Sequence, residues 1–269
     1  MTRVYEPARE VPAQIIIEGY TEDVDLGVLT TGKEAEVHLI ERIAPERSCL
    51  LARKLYRPPE ERAFRNDITY RTHRRIDGKV RDGGLMRERV AGRNLQKAMD
   101  QRSSFGRKAL HHQWVATEHE MLERLWTAGA PVPFPVANEG DAIVMEYVGA
   151  RQEAAPRLAQ YRTSRSGLRD LFDQVRAGVL ALARAGVVHA DLSPYNILVW
   201  QGRVWVIDLP QAVPYLANLD ATDLLHRDCV NACAWFVRKG LDVDPEDLFV
   251  EALDVLFDLQ MRDMFRAER

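Results

Sequence analysis

The chain has 269 residues, of which 46% are apolar and 29% are charged. This composition is ordinary for a globular protein and excludes wholesale disorder, a collagen-like fibre and a bundle of membrane helices. The length leaves room for one large domain or two small lobes. The formal net charge of −3 argues neither for nor against a nucleic-acid partner.

Cysteine usage and the N-terminal sequence indicate the compartment. The chain has 3 cysteines, an odd number without a CxxC pair, which argues against a disulfide framework and a structural zinc site. The N-terminus lacks the apolar run of a secretory signal, and no apolar run approaches the roughly 18 residues of a membrane helix. We therefore expect a cytoplasmic protein without a membrane segment.

Three short apolar runs predict the strands of an N-terminal sheet, at 15–17, 36–41 and 49–56. A turn of small residues, TTGKEA (30–35), lies between the first two runs. Its backbone N–H groups and hydroxyls could approach phosphates. The signal is weak by itself, because the turn matches neither GxGxxG nor the Walker pattern.

The stretch that follows is strongly basic. Residues 53–108 carry 17 Lys and Arg against 7 Asp and Glu, whereas the rest of the chain carries 20 against 33. The block is either a surface for phosphate or RNA, or a solvated insertion whose charge only keeps it soluble. We expect 57–113 to form an insertion with one or two helices and a flexible loop.

A helix is predicted over 114–127, and it contains an unusual carboxylate. At 100° per residue Glu118 falls in the middle of the apolar face. Burying it alone costs several kcal/mol, so the helix predicts a cation partner. Lys54, on the third predicted strand, is that partner, because alternation points neighbouring Arg53 to the opposite face. A lysine placed there would also reach nucleotide phosphates.

The remaining chain predicts one more sheet strand and then a largely helical region. A strand over 141–148 ends at Gly149, and a hairpin over 196–207 turns at Gln201-Gly202. Helices are predicted over 168–185, 222–239 and 246–266. We therefore divide the chain into an N-terminal lobe, 1–149, and a C-terminal catalytic lobe, 150–269.

Three polar residues at the base of the hairpin carry the predicted chemistry. Asp191 and Asn196 are five residues apart in the loop before it, and Asp208 follows its second strand. Such oxygen ligands suit a hard cation such as Mg²⁺, and D-x-x-x-x-N…D is the pattern of kinase-like folds. Asp191 would orient the attacking hydroxyl, while the other two would hold the metal. The alternative is a polar hairpin with capping residues.

At this point the sequence resembles the RIO-type atypical serine/threonine protein kinases, namely the first RIO subfamily in a bacterial-type version. The resemblance covers about 30–231 in the correct order. The matching segments are TTGKEAEV (30–37), ARKLY (52–56), Trp114 with Glu118, AGAPVP (128–133), MEYVG (145–149), HADLSPYN (189–196), IDLPQAV (207–213) and LLHRDCVN (224–231).

The resemblance implies an α+β fold, a reduced two-lobed protein kinase with an N-terminal antiparallel sheet plus helix and a mostly helical C-terminal lobe. It implies ATP with Mg²⁺, or Mn²⁺ in its place, as cofactors. Asp228 would brace the catalytic loop. The implied site comprises Asp191 and Ser193 as catalytic residues, Asn196 and Asp208 as metal ligands, and Thr31, Lys33, Lys54, Glu118, Met145, Glu146 and Val148 as ATP-binding residues.

Three functions are compatible with these residues. The first is a Mg-ATP-dependent protein serine/threonine kinase with autophosphorylation, whose protein substrate the sequence does not identify. The second is an ATPase switch in ribosome or RNA assembly, in which the basic block 53–108 would contact RNA or a ribosomal precursor. The third is a small-molecule kinase of the aminoglycoside or choline type, for which the roughly 60 residues after Asp208 are few.

Overall fold

The computed structural model describes residues 9–57, 104–151 and 153–267. It contains two compact units, each described here by itself. The sheet unit consists of Ile16–Glu120 and Val136–Glu146, and the helical unit consists of Met1–Ile15, Met121–Pro135 and Tyr147–Arg269. Most of the predicted basic insertion, 58–103, lies outside the described residues.

The sheet unit contains a five-stranded sheet and a long helix. The strands are β1 (Glu22–Thr31), β2 (Ala35–Ile43), β3 (Ser48–Tyr56), β4 (Pro135–Asn138) and β5 (Ala142–Glu146), and the helix that follows β3 in the described chain is α1 (Ser104–Thr127). The strand order is β1-β2-β3-β5-β4, and the pairings β1–β2, β2–β3 and β3–β5 are antiparallel. This confirms the α+β class with an N-terminal antiparallel sheet.

The first predicted strand is wrong. Residues 15–17 form no strand, because the Ile15 N–H bonds to the Pro12 carbonyl at 2.8 Å in a turn. Ile15 and Ile16 are both buried, whereas a strand of a one-sided sheet would bury only alternate residues. The first strand is β1, whose acidic side chains pair with β2: Asp23 accepts two hydrogen bonds from Arg42, each of 2.8 Å.

Helix α1 begins at Ser104, ten residues before the predicted start. The sequence of 104–113 is polar and basic and lacks the apolar periodicity that marks 114–127. At its other end, Arg124 bonds to the Ala185 carbonyl. The segment after α1 is bonded to β10 of the helical unit (residues 203–206), since the Pro131 carbonyl accepts the Val206 N–H at 2.6 Å.

After residue 147, the described residues of the helical unit form three α-helices, with short strands before the first helix and between the first and the second. Ser164 caps the first helix by accepting the Gly167 N–H at 3.2 Å, and Phe172 packs edge-on against Phe236 at 5.3 Å between ring centroids. The helices are α2 (Arg165–Arg184), α3 (Ala221–Arg238) and α4 (Pro245–Ala267). The strands are β6 (Gly149–Ala150), β7 (Glu153–Ala154), β8 (Val187–Val188), β9 (Ile197–Trp200), β10 (Arg203–Val206) and β11 (Val213–Pro214).

The predicted hairpin is present as β9 and β10. Gln201 and Gly202 have φ of 49° and 74°, the two positive values that a type I′ turn requires. The register pairs Ile197 with Val206, which puts the residues before β9 next to the residues after β10. The turn therefore determines which loop residues can meet at the open end of the hairpin.

Gly149 occupies a position that admits no side chain. Its φ is 147°, and a Cβ built there would lie 2.5 Å from the Glu153 carbonyl oxygen and 2.9 Å from the Tyr147 hydroxyl. The residue forms β6, which pairs with β7 directly after the last strand of the sheet. The predicted strand over 141–148 accordingly ends earlier, at Glu146.

Candidate functional site

The sheet unit contains a buried ion pair between β3 and α1. Lys54 Nζ lies 2.8 Å from Glu118 Oε1, and Glu118 is only 6% exposed. The contact predicted from the helical position of Glu118 is therefore present. Arg53 is on the opposite face of β3, where it lies 2.9 Å from Glu139. Strand alternation thus selects Lys54 as the cation that reaches the helix.

The face of the sheet that carries Lys54 also carries small and apolar side chains. Val37 is opposite Lys54 in the β2–β3 register, and Ala52 is opposite Met145 in the β3–β5 register. Paired residues share a face, so these side chains form one surface beside the lysine. Sequence reasoning missed Val37 and Ala52, although counting back in steps of two from Lys54 would have found Ala52.

The turn between β1 and β2 is closed by its own backbone. The Gly32 N–H donates to the Ala35 carbonyl at 2.8 Å, and Arg57 Nε donates to the Gly32 carbonyl at 3.3 Å. Thr31 and Lys33 flank Gly32, and both are exposed. The two candidate phosphate-contacting residues therefore lie on a short turn whose backbone shape is fixed.

The segment predicted to contact adenine divides between the two units. Met145 and Glu146 belong to β5, where they are paired with Ala52 and Leu51 of β3. Val148 belongs to the helical unit and is buried. Its carbonyl accepts the Ala155 N–H at 3.0 Å. The Val148 carbonyl is thus engaged within the helical unit.

In the helical unit, Asn196 makes hydrogen bonds to two earlier residues of the loop before β9. The Asn196 Nδ2 donates to the Asp191 backbone carbonyl at 2.8 Å and to its carboxylate at 3.1 Å. Ser193 supports the turn between them, since its carbonyl accepts the Asn196 N–H at 2.9 Å and its hydroxyl accepts the Tyr195 N–H at 3.3 Å. The structure thus brings Asp191, Ser193 and Asn196 together.

Asp208 is tied to the same loop through the backbone. The Ile207 N–H donates to the Asn196 carbonyl at 2.9 Å, and the Ile207 carbonyl is 3.1 Å from His189 Nε2. Asp208 itself has a φ of 69°, which a residue with a side chain rarely adopts. These contacts hold the segment that carries Asp208 beside the one that carries Asn196.

A buried aspartate on α3 anchors the start of the loop. Asp228 accepts the Ala190 N–H at 2.7 Å and the Leu192 N–H at 2.8 Å, and Arg227 bonds to the Ala190 carbonyl. Ala190 has a φ of 64°, an unfavourable value for alanine that these bonds maintain. Burial raises the pKa of the Asp228 carboxyl, although the influence of His189 and of the two N–H donors lowers it in part.

The donor set of the loop suits a divalent ion bound together with phosphates. No cluster of three or more His, Cys, Asp and Glu side chains that could hold a metal occurs in the described parts of the chain. Mg²⁺ at a phosphate needs no such cluster, because one or two carboxylates plus phosphate oxygens and water complete its shell. Asn196 donates through its amide nitrogen to Asp191, so its amide oxygen is the atom that could bind such an ion.

Comparison with known proteins identifies the family. The RIO domain family matches residues 85–248, more than half of the chain. The RIO-type serine/threonine-protein kinase Rio1 of Haloferax volcanii is 40% identical over 136 residues, 51% of this chain and 46% of that protein. The kinase of the same name from Thermoplasma acidophilum is 34% identical over 135 residues, 50% of this chain and 69% of that one.

A longer match comes from the probable serine/threonine-protein kinase RIO1 homolog of Encephalitozoon cuniculi. It is 30% identical over 245 residues, which are 88% of this chain and 60% of that protein. The chain thus spans about half to two thirds of the length of these relatives. The match to residues 85–248 shows that the chain belongs to the RIO domain family.

Proposed function

We propose that the chain transfers the γ-phosphoryl group of ATP to a serine or threonine hydroxyl of a protein, with Mg²⁺ as the divalent ion. The observation that carries this proposal is the contact of Asn196 with Asp191 at 2.8 and 3.1 Å, in a loop bonded to the segment of Asp208. Membership of a kinase family agrees with the use of ATP and a divalent metal ion.

Each loop residue has a proposed role. Asp191 orients the attacking hydroxyl and accepts its proton, because its carboxylate is held by Asn196 while keeping acceptor capacity. Asn196 and Asp208 hold the metal ion, which neutralises charge on the phosphates when it is bound. Ser193 keeps the turn between Asp191 and Asn196 in shape. Phosphoryl transfer demands positioning and electrostatics from the protein, and the loop supplies both.

The sheet unit is proposed to hold the nucleotide. Lys54 contacts the phosphates, and Glu118 keeps its ammonium in place. Thr31 and Lys33 contact phosphate from the β1–β2 turn. The surface of Val37, Ala52 and Met145 packs against the adenine ring, with Glu146 and the Val148 N–H as the backbone contacts. A nucleobase needs such an apolar wall with a few fixed polar groups.

The fate of the transferred phosphate tests the proposal. The purified chain is incubated with γ-labelled ATP, Mg²⁺ and a generic protein substrate, and the products are separated. We expect acid-stable label on serine or threonine. Label found only in free phosphate, in an acid-labile acyl phosphate or in a small molecule would contradict a protein kinase. Asp191→Asn should lose transfer, whereas Asp170→Asn, at an exposed position on α2, should not.

Contact with RNA through 53–108 stays a prediction. Among the described cations of this block, Arg53, Lys54 and Arg57 each pair with a carboxylate within the sheet unit. An RNA surface would therefore depend on the other cations of the block, from Arg62 to Lys108. Charge reversal of several arginines between 71 and 93 should lower RNA affinity and flatten its salt dependence. Unchanged binding would leave only the role in solubility.

We also propose a reducing, cytoplasmic location. All three cysteines are buried and unpaired, as expected where disulfides do not form. Burial raises the pKa of Cys229 to about 12 and that of Cys233 to about 11. These thiols are therefore inert apolar residues of the core. In the described part of the chain, no helix has the length and hydrophobicity that crossing a membrane requires.

A further inference from the structure

A short segment of the helical unit lies along the edge of β9 that does not face β10. The Val199 N–H of β9 donates to the Pro156 carbonyl at 2.9 Å, and an antiparallel bridge pairs Arg157 with Leu198. Arg157 has an extended backbone, with φ of −70° and ψ of 146°. Residues 155–159, which we call the strap, therefore add a short third strand to the hairpin of β9 and β10.

The strap is fastened at both of its ends. At one end the Ala155 N–H donates to the Val148 carbonyl at 3.0 Å, and at the other the Ala159 N–H donates to the Pro194 carbonyl at 3.0 Å. Between them, the Leu158 side chain is 0% exposed. The strap thus connects the segment proposed to contact adenine with the loop that precedes β9.

The Ala159 N–H is available to the loop because of the local backbone conformation. Residues Leu158–Gln160 form a single 3₁₀ turn, in which the Gln160 N–H donates to the Arg157 carbonyl at 2.9 Å. The first N–H groups of a helical turn have no acceptor within that turn. The Pro194 carbonyl supplies the acceptor for Ala159, so the strap and the loop satisfy each other's backbone groups.

Pro194 transmits this contact to Asn196. The pyrrolidine ring fixes the φ of Pro194, so the direction of its carbonyl depends closely on the course of the loop around it. Directly before it, the Ser193 carbonyl accepts the Asn196 N–H at 2.9 Å, and the Asn196 carbonyl accepts the Ile207 N–H at 2.9 Å. The end of the loop is therefore held between the strap on one side and the chain after β10 on the other.

We propose that the strap is a positioning element for the divalent ion, which fixes the loop through the Ala159 N–H and the buried Leu158 so that the Asn196 amide oxygen is in place before the ion binds. This inference rests on the proposed function, in which Asn196 is a metal ligand. A ligand whose direction is already fixed loses less conformational freedom on binding, which raises the affinity for the ion.

The test uses Ala159→Pro, because proline has no N–H and its ring would occupy the space of the hydrogen bond to Pro194. Calorimetry measures the affinity for a non-hydrolysable ATP analogue with Mg²⁺ and with a chelator instead. We expect the gain in affinity from Mg²⁺ to fall about three- to tenfold, with the Mg²⁺-free affinity changed less than about twofold. Leu216→Pro, at the exposed middle position of the 3₁₀ turn Tyr215–Ala217, is the matched control and should keep both affinities.

Three results would overturn the proposal. These are a wild-type gain from Mg²⁺ in Ala159→Pro, equal losses of affinity with and without Mg²⁺, and the same loss of gain in Leu216→Pro. If Ala159→Pro does not fold, Leu158→Val is measured, since it keeps every backbone group and shortens the buried side chain. The gain from Mg²⁺ should then fall about two- to threefold, and a wild-type gain would overturn the proposal.

A double-mutant cycle with Asn196→Ala distinguishes the two levels of inference. In the Asn196→Ala background, Ala159→Pro should not lower the gain further, because the ligand through which the strap acts is gone. An undiminished effect there overturns the role of the strap. Asn196→Ala with a wild-type gain overturns the metal-binding role of Asn196 and the strap together. A lowered gain in Asn196→Ala beside a normal one in Ala159→Pro overturns the strap alone.

Discussion

Removing the Asp228 carboxylate should destabilise the helical unit by an amount that the structure determines. Asp228 is 2% exposed and accepts two backbone N–H groups at 2.7 and 2.8 Å. In Asp228→Ala both donors are buried without their acceptor, at about 1–3 kcal/mol each. The release of a buried charge offsets part of this cost, because burial already disfavours the ionised carboxyl. We therefore expect a net loss of about 2–4 kcal/mol.

Thermal unfolding measures this loss. At about 2–4 °C per kcal/mol for a chain of this size, the melting temperature should fall by about 5–15 °C. Asp228→Asn keeps the size and one acceptor oxygen but turns an N–H donor toward a backbone N–H, so we expect about half of that decrease. Asp254→Ala, at an exposed position on α4, is the matched control and should change the melting temperature by less than about 2 °C.

Turnover gives a second measurement of the same perturbation. The bonds of Asp228 hold Ala190 in its left-handed conformation directly before Asp191. ATP turnover by Asp228→Ala should therefore fall at least about tenfold at a temperature where the variant is still folded. A variant with the melting temperature and turnover of Asp254→Ala would refute this reasoning, since it would mean that the two N–H groups need no carboxylate.

Three further predictions concern other contacts. Lys54→Ala and Glu118→Ala should each raise the KM for ATP, and their double-mutant cycle should be strongly non-additive; full additivity would contradict the ion pair. Gly149→Ala should lower the melting temperature by about 5–10 °C, whereas Gly202→Ala, whose Cβ would meet nothing within 4 Å, should lower it less; equal effects would refute the steric argument. The hydrogen bond from Arg42 lowers the pKa of Asp23 below its ordinary 3.8. The ionised Asp23 therefore stabilises the folded protein above pH 3.8, and this stabilisation is lost as the pH falls through the lowered pKa. Asp23→Asn should therefore cost roughly 1 kcal/mol at pH 7 and nothing in strong acid, as measured by unfolding across pH; a penalty that does not depend on pH would contradict the assignment.

The sequence predicted well those contacts in which the spacing of residues along a helix or strand alone determines the face on which a side chain lies. A carboxylate at the centre of an apolar helical face predicted the contact of Glu118, and alternation on β3 identified Lys54 rather than Arg53. The turn dipeptide Gln201-Gly202 predicted the hairpin and with it the approach of Asn196 to the segment of Asp208. These inferences need only the period of a helix, the period of a strand and the preference of one turn.

The elements that sequence reasoning missed depend on contacts distant in the chain. Strand β1 is held by its ladder to β2 and by the Asp23–Arg42 pair, and it leaves Val24, Leu26 and Val28 exposed, so it has no buried face for periodicity to reveal. The left-handed backbone at Ala190 is unfavourable locally, and it is held by bonds to Asp228 and Arg227, which follow 38 and 37 residues later. Local propensity cannot contain such information.

Asp191 and Asp208 have different proposed roles in one Mg²⁺-dependent phosphoryl transfer, since Asp191 accepts the proton of the attacking hydroxyl and Asp208 holds the metal ion. The most direct measurement is the ATP affinity and the single-turnover rate of Asp191→Asn and Asp208→Asn over a range of Mg²⁺ concentrations. We expect Asp191→Asn to bind ATP with Mg²⁺ almost as the wild type does while losing about a hundredfold or more in rate. Asp208→Asn should lose the Mg²⁺ dependence of ATP binding together with the rate. Two variants with the same profile, or an Asp208→Asn enzyme that keeps wild-type Mg²⁺ dependence, would contradict the account.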